Sequence, residues 1–411
     1  MSATSEPGTE VSAAPMLLEP LDGGVCTVPG ITAAGMAAGL KRSGKPDIAL
    51  VAADRSVAAA AVQTRNQVTA APVQVTARHA ADGRARAVLL NSGSANVCTG
   101  PDGMALAERS AALVAAELGC PATDVLVCST GVIGEPIAST PFTGALPGLC
   151  AALHRSGGGD AARAILTTDT FAKQAAVAVS DASGRCTVGG MAKGAGMLAP
   201  ELATMLCVLT TDAPAPYGGL DPLLRDVVAR TFGRISVDAC MSTNDAVILL
   251  ATGTAPEPPS DEALAAGLTD VCGRLAEAMV RDGEGAHILV RLRVTTAASE
   301  DDALGVARAV AGSVLFRTAI AGRDPNWGRV LAAIGAGPVR IDPSRITVAF
   351  GDVTVCRSGV AAGFDRAGAA AALQGDAVDV RIDLGAGDAE ATFLTCDLSV
   401  DYVRFNSAYT T

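Results

Sequence analysis

The run GGMAKGAGMLAPELATML (189–206) decides how this chain is read. A glycine-rich loop carrying Lys193 leads into 204–211 (TMLCVLTT), whose length and β-branched content predict a central strand with Thr204 as its first residue. Glycines admit strained, φ > 0 backbone. Strain at the Ala203–Thr204 peptide would let the Thr204 hydroxyl attack the preceding carbonyl, and hydrolysis of the ester would leave a free Thr204 amine. An N-terminal threonine carries its own base, because an unperturbed α-amine has a pKa of about 7.7–8.0. The same residues also read as a connecting loop and a strand-initial threonine.

Composition bounds the surroundings. The 411 residues are 49% hydrophobic, 18% charged and only 3% aromatic. Such a chain has a sizeable core built from Ala, Val, Leu and Gly, and its length suits two to three domains or one large α/β unit. With 31 basic and 42 acidic residues the net charge is −11, which disfavours a nucleic-acid partner. The uncharged stretch 136–154 contains Pro136, Pro141 and Pro147, so it makes a poor membrane span, and no membrane partner is expected. The N-terminus has no basic and apolar signal regions; residues 1–20 read as a disordered tail. Eleven cysteines without a Cys-x-x-Cys pair suit a reducing cytoplasm, and three scattered histidines argue against zinc. Lysine is rare: Lys41, Lys45, Lys173 and Lys193 are the full set.

Strands are predicted at 47–53, 72–76, 86–91, 124–128, 174–179, 187–191 and 287–296, and helices at 103–118, 140–153 and 160–166. A helix with Asp221 as N-cap and Pro222 at its first position follows the central strand, and another opens at Ser260. The class is α/β, with sheets covered by helices. GLKRSGK (39–45) imitates a phosphate loop, but Pro46 stands where the magnesium-holding hydroxyl belongs, and the residues before it look helical. GAGMLA (194–199) imitates a dinucleotide fingerprint but opens no helix. No Gly-x-Ser-x-Gly elbow or Ser-His-Asp pattern is present.

The run MAKGAGMLAPELATMLCVLTTDA resembles the signature of the ornithine acetyltransferase family, also called glutamate N-acetyltransferase or ArgJ. NSGSANVCTG, CSTGVIG, TTDT, STNDA, RDGEGA, DPNWGR and YVRFNSAYTT extend the resemblance from Gly23 to Thr411. It implies an α/β helix–sheet–sheet–helix sandwich of the ArgJ/DmpA-like type with two lobes, self-cleaved between Ala203 and Thr204. The products are an α chain (21–203 after the tail) and a β chain (204–411), with a C-terminal lobe from about 260.

The resemblance also implies roles. Thr204 is the nucleophile and Thr130 with Gly131 the oxyanion hole; Thr167, Lys193, Thr204, Glu284, Asn406 and Thr411 bind substrate. Thr204 takes acetyl from N2-acetyl-L-ornithine and passes it to L-glutamate in arginine biosynthesis. No metal or cofactor is implied; acetyl-CoA is a co-substrate of bifunctional members only. The α and β chains stay together, as two of each.

Ser94, Gln63, Ala172, and the residues around Cys240 and Ala246 depart from the family pattern. They leave open an antibiotic-cluster paralogue. An N-terminal-nucleophile amidase or aminopeptidase and a non-enzymatic amino-acid-binding protein are the competing classes.

Overall fold

The computed structural model describes residues 15–199, 205–216 and 218–408. Its first lobe runs β1 (Leu17–Leu21), β2 (Ile31–Met36), β3 (Ile48–Gln63), α1 (Ala71–His79), β4 (Arg84–Ser94), α2 (Gly100–Leu118), β5 (Val125–Val132), α3 (Ser139–Ala151) and α4 (Gly158–Ala164). It continues through β6 (Lys173–Ser180), β7 (Arg185–Lys193), β8 (Leu206–Thr211), α5 (Leu220–Arg230), β9 (Ala246–Ala251) and α6 (Asp261–Arg281). The strand order is β1-β6-β7-β8-β9-β3-β4-β5, with β2 also on β3.

Strand β3 organises this lobe. Its first part pairs with β4, its last part with β9, and the register shifts between Ala52 and Val57. Ala49, Val51, Ala53, Val57 and Ala59 face one central core, shared with Leu126, Met191, Val208 and Ile248. The opposite face of β3 changes partners along its length. Ile48, Leu50 and Ala52 join Val75, Leu106, Val114 and Leu146 from α1, α2 and α3. Ala60 and Val62 join Leu224, Val228, Leu268 and Leu275 from α5 and α6. Two sheet halves therefore sandwich the central core, with helices outside both, as the sequence resemblance implies. Period-two alternation of small apolar residues makes this possible with few aromatics.

The second lobe comprises β10 (Leu289–Ala297), α7 (Glu300–Ala311), α8 (Val314–Ala321), α9 (Trp327–Ala336), β11 (Thr347–Phe350), β12 (Val353–Arg357), β13 (Val360–Ala361), α10 (Arg366–Ala371), β14 (Ala377–Asp383) and β15 (Ala389–Cys396). Its six strands, in the order β13-β12-β11-β14-β10-β15, bury Val290, Leu292, Phe316, Phe350 and Phe393 together. Helix α11 (Val400–Ala408) then returns to the first lobe. Among the described residues no single helix is long and apolar enough to cross a membrane.

Several expectations change. Residues 72–76 are part of α1, not a strand: Pro72 sits in its first turn, and the Thr76 hydroxyl exchanges two hydrogen bonds with Val127 on the edge strand β5. Tertiary use of Val73, Val75 and Thr76 overrides their β propensity. The expected tail of 1–20 is too long, because Leu17–Leu21 is a strand paired antiparallel with β6; residues 1–14 lie outside the described residues. Gly219 rather than Asp221 caps α5, and the carboxylate of Asp221 instead binds Arg225 one turn on. The residues before the 39–45 run form strand β2 (Ile31–Met36), not a helix, and 39–45 themselves are bends, turns and irregular backbone. The second lobe begins after the turn at 282–286, not near 260, because α6 lays Leu264, Leu268, Val271 and Leu275 on the core of the first sheet. Ser260 does cap α6, accepting from Ala263 N–H.

Candidate active site

Thr204, Ala203 and Thr411 lie outside the described residues. The site is therefore built from what holds their neighbours. Met205, covalently next to Thr204, donates its N–H to Asp245 Oδ1 at 3.0 Å and accepts at its carbonyl from Ala246 N–H at 3.1 Å. One residue earlier, the Asn244 amide donates to the carbonyls of Ser129 (2.8 Å) and Ala95 (2.7 Å). Ser129 precedes Thr130. The STND turn thus fixes the residue after Thr204 and the strand end carrying Thr130 and Gly131 against each other.

Gly131 has φ +130°, and an added Cβ would lie 2.5 Å from the Gly93 carbonyl carbon and 2.7 Å from Ser94 N. Only glycine fits that turn. Thr130 is buried beside it. A hydroxyl and a strand-end N–H so placed suit an oxyanion.

A second cluster surrounds Asp169. Its Oδ1 accepts from Lys173 Nζ (2.8 Å) and Gly194 N–H (2.7 Å); its Oδ2 accepts from Thr167 N–H (3.2 Å) and lies 3.7 Å from Lys193 Nζ. Lys173 also donates to Asp282 Oδ2 at 2.5 Å, and Asp282 binds the backbone N–H and the hydroxyl of Thr170. Lys173 is 1% and Lys193 2% exposed, so these charges survive only as a mutually paired set. Burial alone would raise the Asp169 carboxyl, but Lys193 and Lys173 outweigh it and hold it well below the usual carboxylate range. Thr167 and Lys193 are brought together by this one carboxylate.

The turn that starts at Asp282 also presents Glu284. Its N–H donates to Ala195 O at 2.8 Å, and its carboxyl closes on Gly196, where an added Cβ would meet it at 2.6–2.7 Å. Gly196 is thus required for close approach. Among the described residues of this loop the left-handed one is Met197 (φ 52°), while Gly194 and Gly196 are not left-handed; the Ala203–Thr204 peptide, where strain is expected, lies outside the described residues. Asn406 donates to Glu284 Oε2 at 3.1 Å from α11. Gly285 (φ +67°) lets the backbone of Tyr402 sit against that turn, and Ser399 Oγ donates to its carbonyl at 2.6 Å. The two clusters meet across the sheet, where Lys193 pairs with Leu206 and Leu206 with Ala246.

The sequence pattern of the ArgJ family matches residues 32–411. This chain belongs to the ArgJ family. It is 48% identical over 398 residues to the arginine biosynthesis bifunctional protein ArgJ of Mycobacterium bovis, covering 94% of this chain and 96% of that one. It is 48% identical to the protein of the same description from Thermobifida fusca (93% and 98% covered) and 46% to that from Streptomyces coelicolor (94% and 99%). Among solved structures, the ornithine acetyltransferase of Mycobacterium tuberculosis complexed with ornithine aligns over 46% of this chain and 100% of that chain, at 40% identity and TM-score 0.41. ArgJ of Bacillus halodurans aligns over 49% and 97%, at 37% identity and TM-score 0.46.

Within this ArgJ-family chain, several residues at the site were not singled out by sequence. Asp169 and Asp282 lie inside the TTDT and RDGEGA motifs, and Asn244 and Asp245 inside STNDA. Lys173 could have been flagged by the scarcity of lysine. Lys41 is another: burial, opposed by Asp47 and reinforced by Lys193, lowers its ammonium to about 8, and its Nζ donates to Pro46 O at 2.7 Å.

Proposed function

We propose that this chain is an acetyltransferase of arginine biosynthesis that moves an acetyl group from N2-acetyl-L-ornithine to L-glutamate through an acetyl-Thr204 ester. The observation that carries this reading is the STND turn: it ties Met205, the neighbour of Thr204, and Ser129, the neighbour of Thr130, to adjacent residues. After cleavage at Ala203–Thr204, the Thr204 amine takes the hydroxyl proton as Oγ attacks the acetyl carbonyl. Thr130 and Gly131 stabilise the tetrahedral oxyanion, ornithine leaves, and glutamate takes the acetyl group in a ping-pong cycle.

Lys193 offers its ammonium to the substrate carboxylate, and Glu284, steadied by Asn406, its carboxylate to an ammonium. Thr167 and Thr411 complete the binding set. No metal or redox group enters this chemistry. The relatives are named bifunctional, which supports acetyl-CoA as a second acetyl donor. Acetyl incorporation from acetyl-CoA into glutamate tests that extension, and none above background refutes it.

Cutting at 203–204 leaves β8 in the β chain hydrogen-bonded to β7 in the α chain, and β9 to β3. The α and β chains then share one sheet and stay associated, in a particle of two α and two β chains in the cytoplasm. The test is intact mass with the Thr204→Ala variant. The wild type should yield two fragments, the second beginning at Thr204, that co-elute without denaturant. The variant should remain one chain and lose transfer. A variant that still splits at that bond overturns autocatalysis.

A further inference from the structure

Three short segments close a ring of hydrogen bonds around the charged corner. Gly194, next to Lys193, donates its N–H to Asp169 Oδ1 at 2.7 Å. Ala195, one residue on, accepts at its carbonyl from the Glu284 N–H at 2.8 Å. Asp282, two residues before Glu284, leads back to the start. Its Oδ2 accepts from Lys173 Nζ at 2.5 Å and from Thr170 N–H at 3.0 Å, and Lys173 also donates to Asp169 Oδ1 at 2.8 Å. The sheet holds the ring in register, because Lys173 at the head of β6 pairs with Ala192 near the end of β7.

Lys173 is the strut of this ring. The side chains of Lys173 and Asp169 are fully buried and that of Asp282 is 2% exposed. An ammonium has three N–H donors. Two serve the carboxylates and the third reaches the Phe171 carbonyl at 3.4 Å, so none is left for a substrate. Buried charges are tolerated only while closely paired, so a shift of either carboxylate would strand the ammonium. The frame is therefore stiff. Two charges on it are not consumed by it. Lys193 Nζ stands 3.7 Å from Asp169 Oδ2, and Glu284 joins the ring through its backbone, leaving its carboxylate to Asn406.

We propose that this ring is a gauge of substrate length: it fixes the spacing between the Lys193 ammonium and the Glu284 carboxylate, and so selects how many methylenes separate the carboxylate and the ammonium of an acetylated diamino acid. The proposal rests on the acetyl-transfer reading above, in which these two residues take the two ends of the donor. Lys173 is a positioning residue and touches no substrate atom. A pocket limited by volume turns away only a longer donor. A frame with a charge at each end turns away a shorter one as well, because the shorter chain cannot meet both charges and leaves one unpaired.

The test compares kcat/KM for acetyl transfer to glutamate from N2-acetyl-L-ornithine and from its homologues one methylene longer and one shorter, N2-acetyl-L-lysine and N2-acetyl-L-2,4-diaminobutyrate. Wild type should prefer the ornithine compound over both by about 10–200-fold. Lys173→Met/Asp282→Asn removes one charge of each sign, and the new amide still accepts from Thr170. Its preference should shrink about fivefold or more. Thr170→Val changes an exposed residue and removes only the hydroxyl's bond to Asp282, so the fold is kept and the preference should shrink about twofold to threefold. A ratio between substrates does not depend on the folded fraction, so a purely structural role would lower all three rates together. If the double variant yields no folded protein, Thr170→Val decides. A wild type that takes the shorter homologue as readily as the ornithine compound, or folded variants that keep the wild-type preference, overturns the gauge and leaves the transfer chemistry standing. A wild type that transfers acetyl from none of the three sinks the transfer reading itself.

Discussion

Asp169 and Asp245 are both buried carboxyls near one row of the same sheet, and their surroundings shift their titrations in opposite directions. Asp169 sits among two ammonium groups and two backbone N–H donors and is held ionised. Asp245 receives one backbone N–H, and burial raises its carboxyl well above the ordinary range. The first corner is a fixed lattice of charges that positions Thr167, Lys193 and the Glu284 turn. The second is a buried carboxyl that anchors the backbone N–H of Met205. Residue type does not set the role; the number of nearby cations and donors does.

The harshest way to break this contrast is Lys173→Met. It removes the ammonium that bridges Asp169 and Asp282, leaving Lys193 3.7 Å from Asp169, and loss of a partner from a buried ion set costs about 3–5 kcal/mol. Urea unfolding should show that loss; a change under about 1 kcal/mol would mean the lattice is wet and weakly coupled. Next in size is Glu284→Gln, which keeps the shape but removes the charge meant for the substrate ammonium. Its kcat/KM with acetylornithine should fall about 10–100-fold, or roughly 1.4–2.8 kcal/mol, with self-cleavage unaffected by mass.

The pH dependence of stability separates the two corners. The folded Asp169 titrates below its unfolded value, so its contribution is complete above the ordinary carboxylate range and is lost as pH falls through and below it. Asp245 titrates above its unfolded value, so its contribution is complete at acid pH and is lost as pH rises through the raised titration. Melting curves of Asp169→Asn should flatten the acid limb and those of Asp245→Asn the alkaline one. The smallest effect is Asp245→Asn at acid pH, below the raised titration: a neutral amide replaces a neutral acid of like shape and still accepts the Met205 N–H, so stability should change by no more than about 1 kcal/mol.

Much of this was legible in the chain itself. The motifs named Thr130, Gly131, Thr167, Lys193, Glu284 and Asn406; Thr167 and Lys193 meet on Asp169, and Asn406 meets Glu284. What escaped was non-local. Lys173 meets Asp282 across 109 residues, and no local pattern announces that a threonine-flanked aspartate is a buried hub. Helix α1 was misread because Val73, Val75 and Thr76 look strand-like until Thr76 is seen satisfying the β5 edge. Strand β1 was missed because its pairing depends on β6, more than 150 residues away.

The most direct measurement is capture of the acyl-enzyme. Cleaved protein is mixed with N2-acetyl-L-ornithine, quenched and digested, and its peptides are weighed. One acetyl group should ride on the peptide that begins with Thr204 and vanish when glutamate is added before the quench. Acetyl found on another residue, or continued transfer with no labelled peptide, would contradict the account.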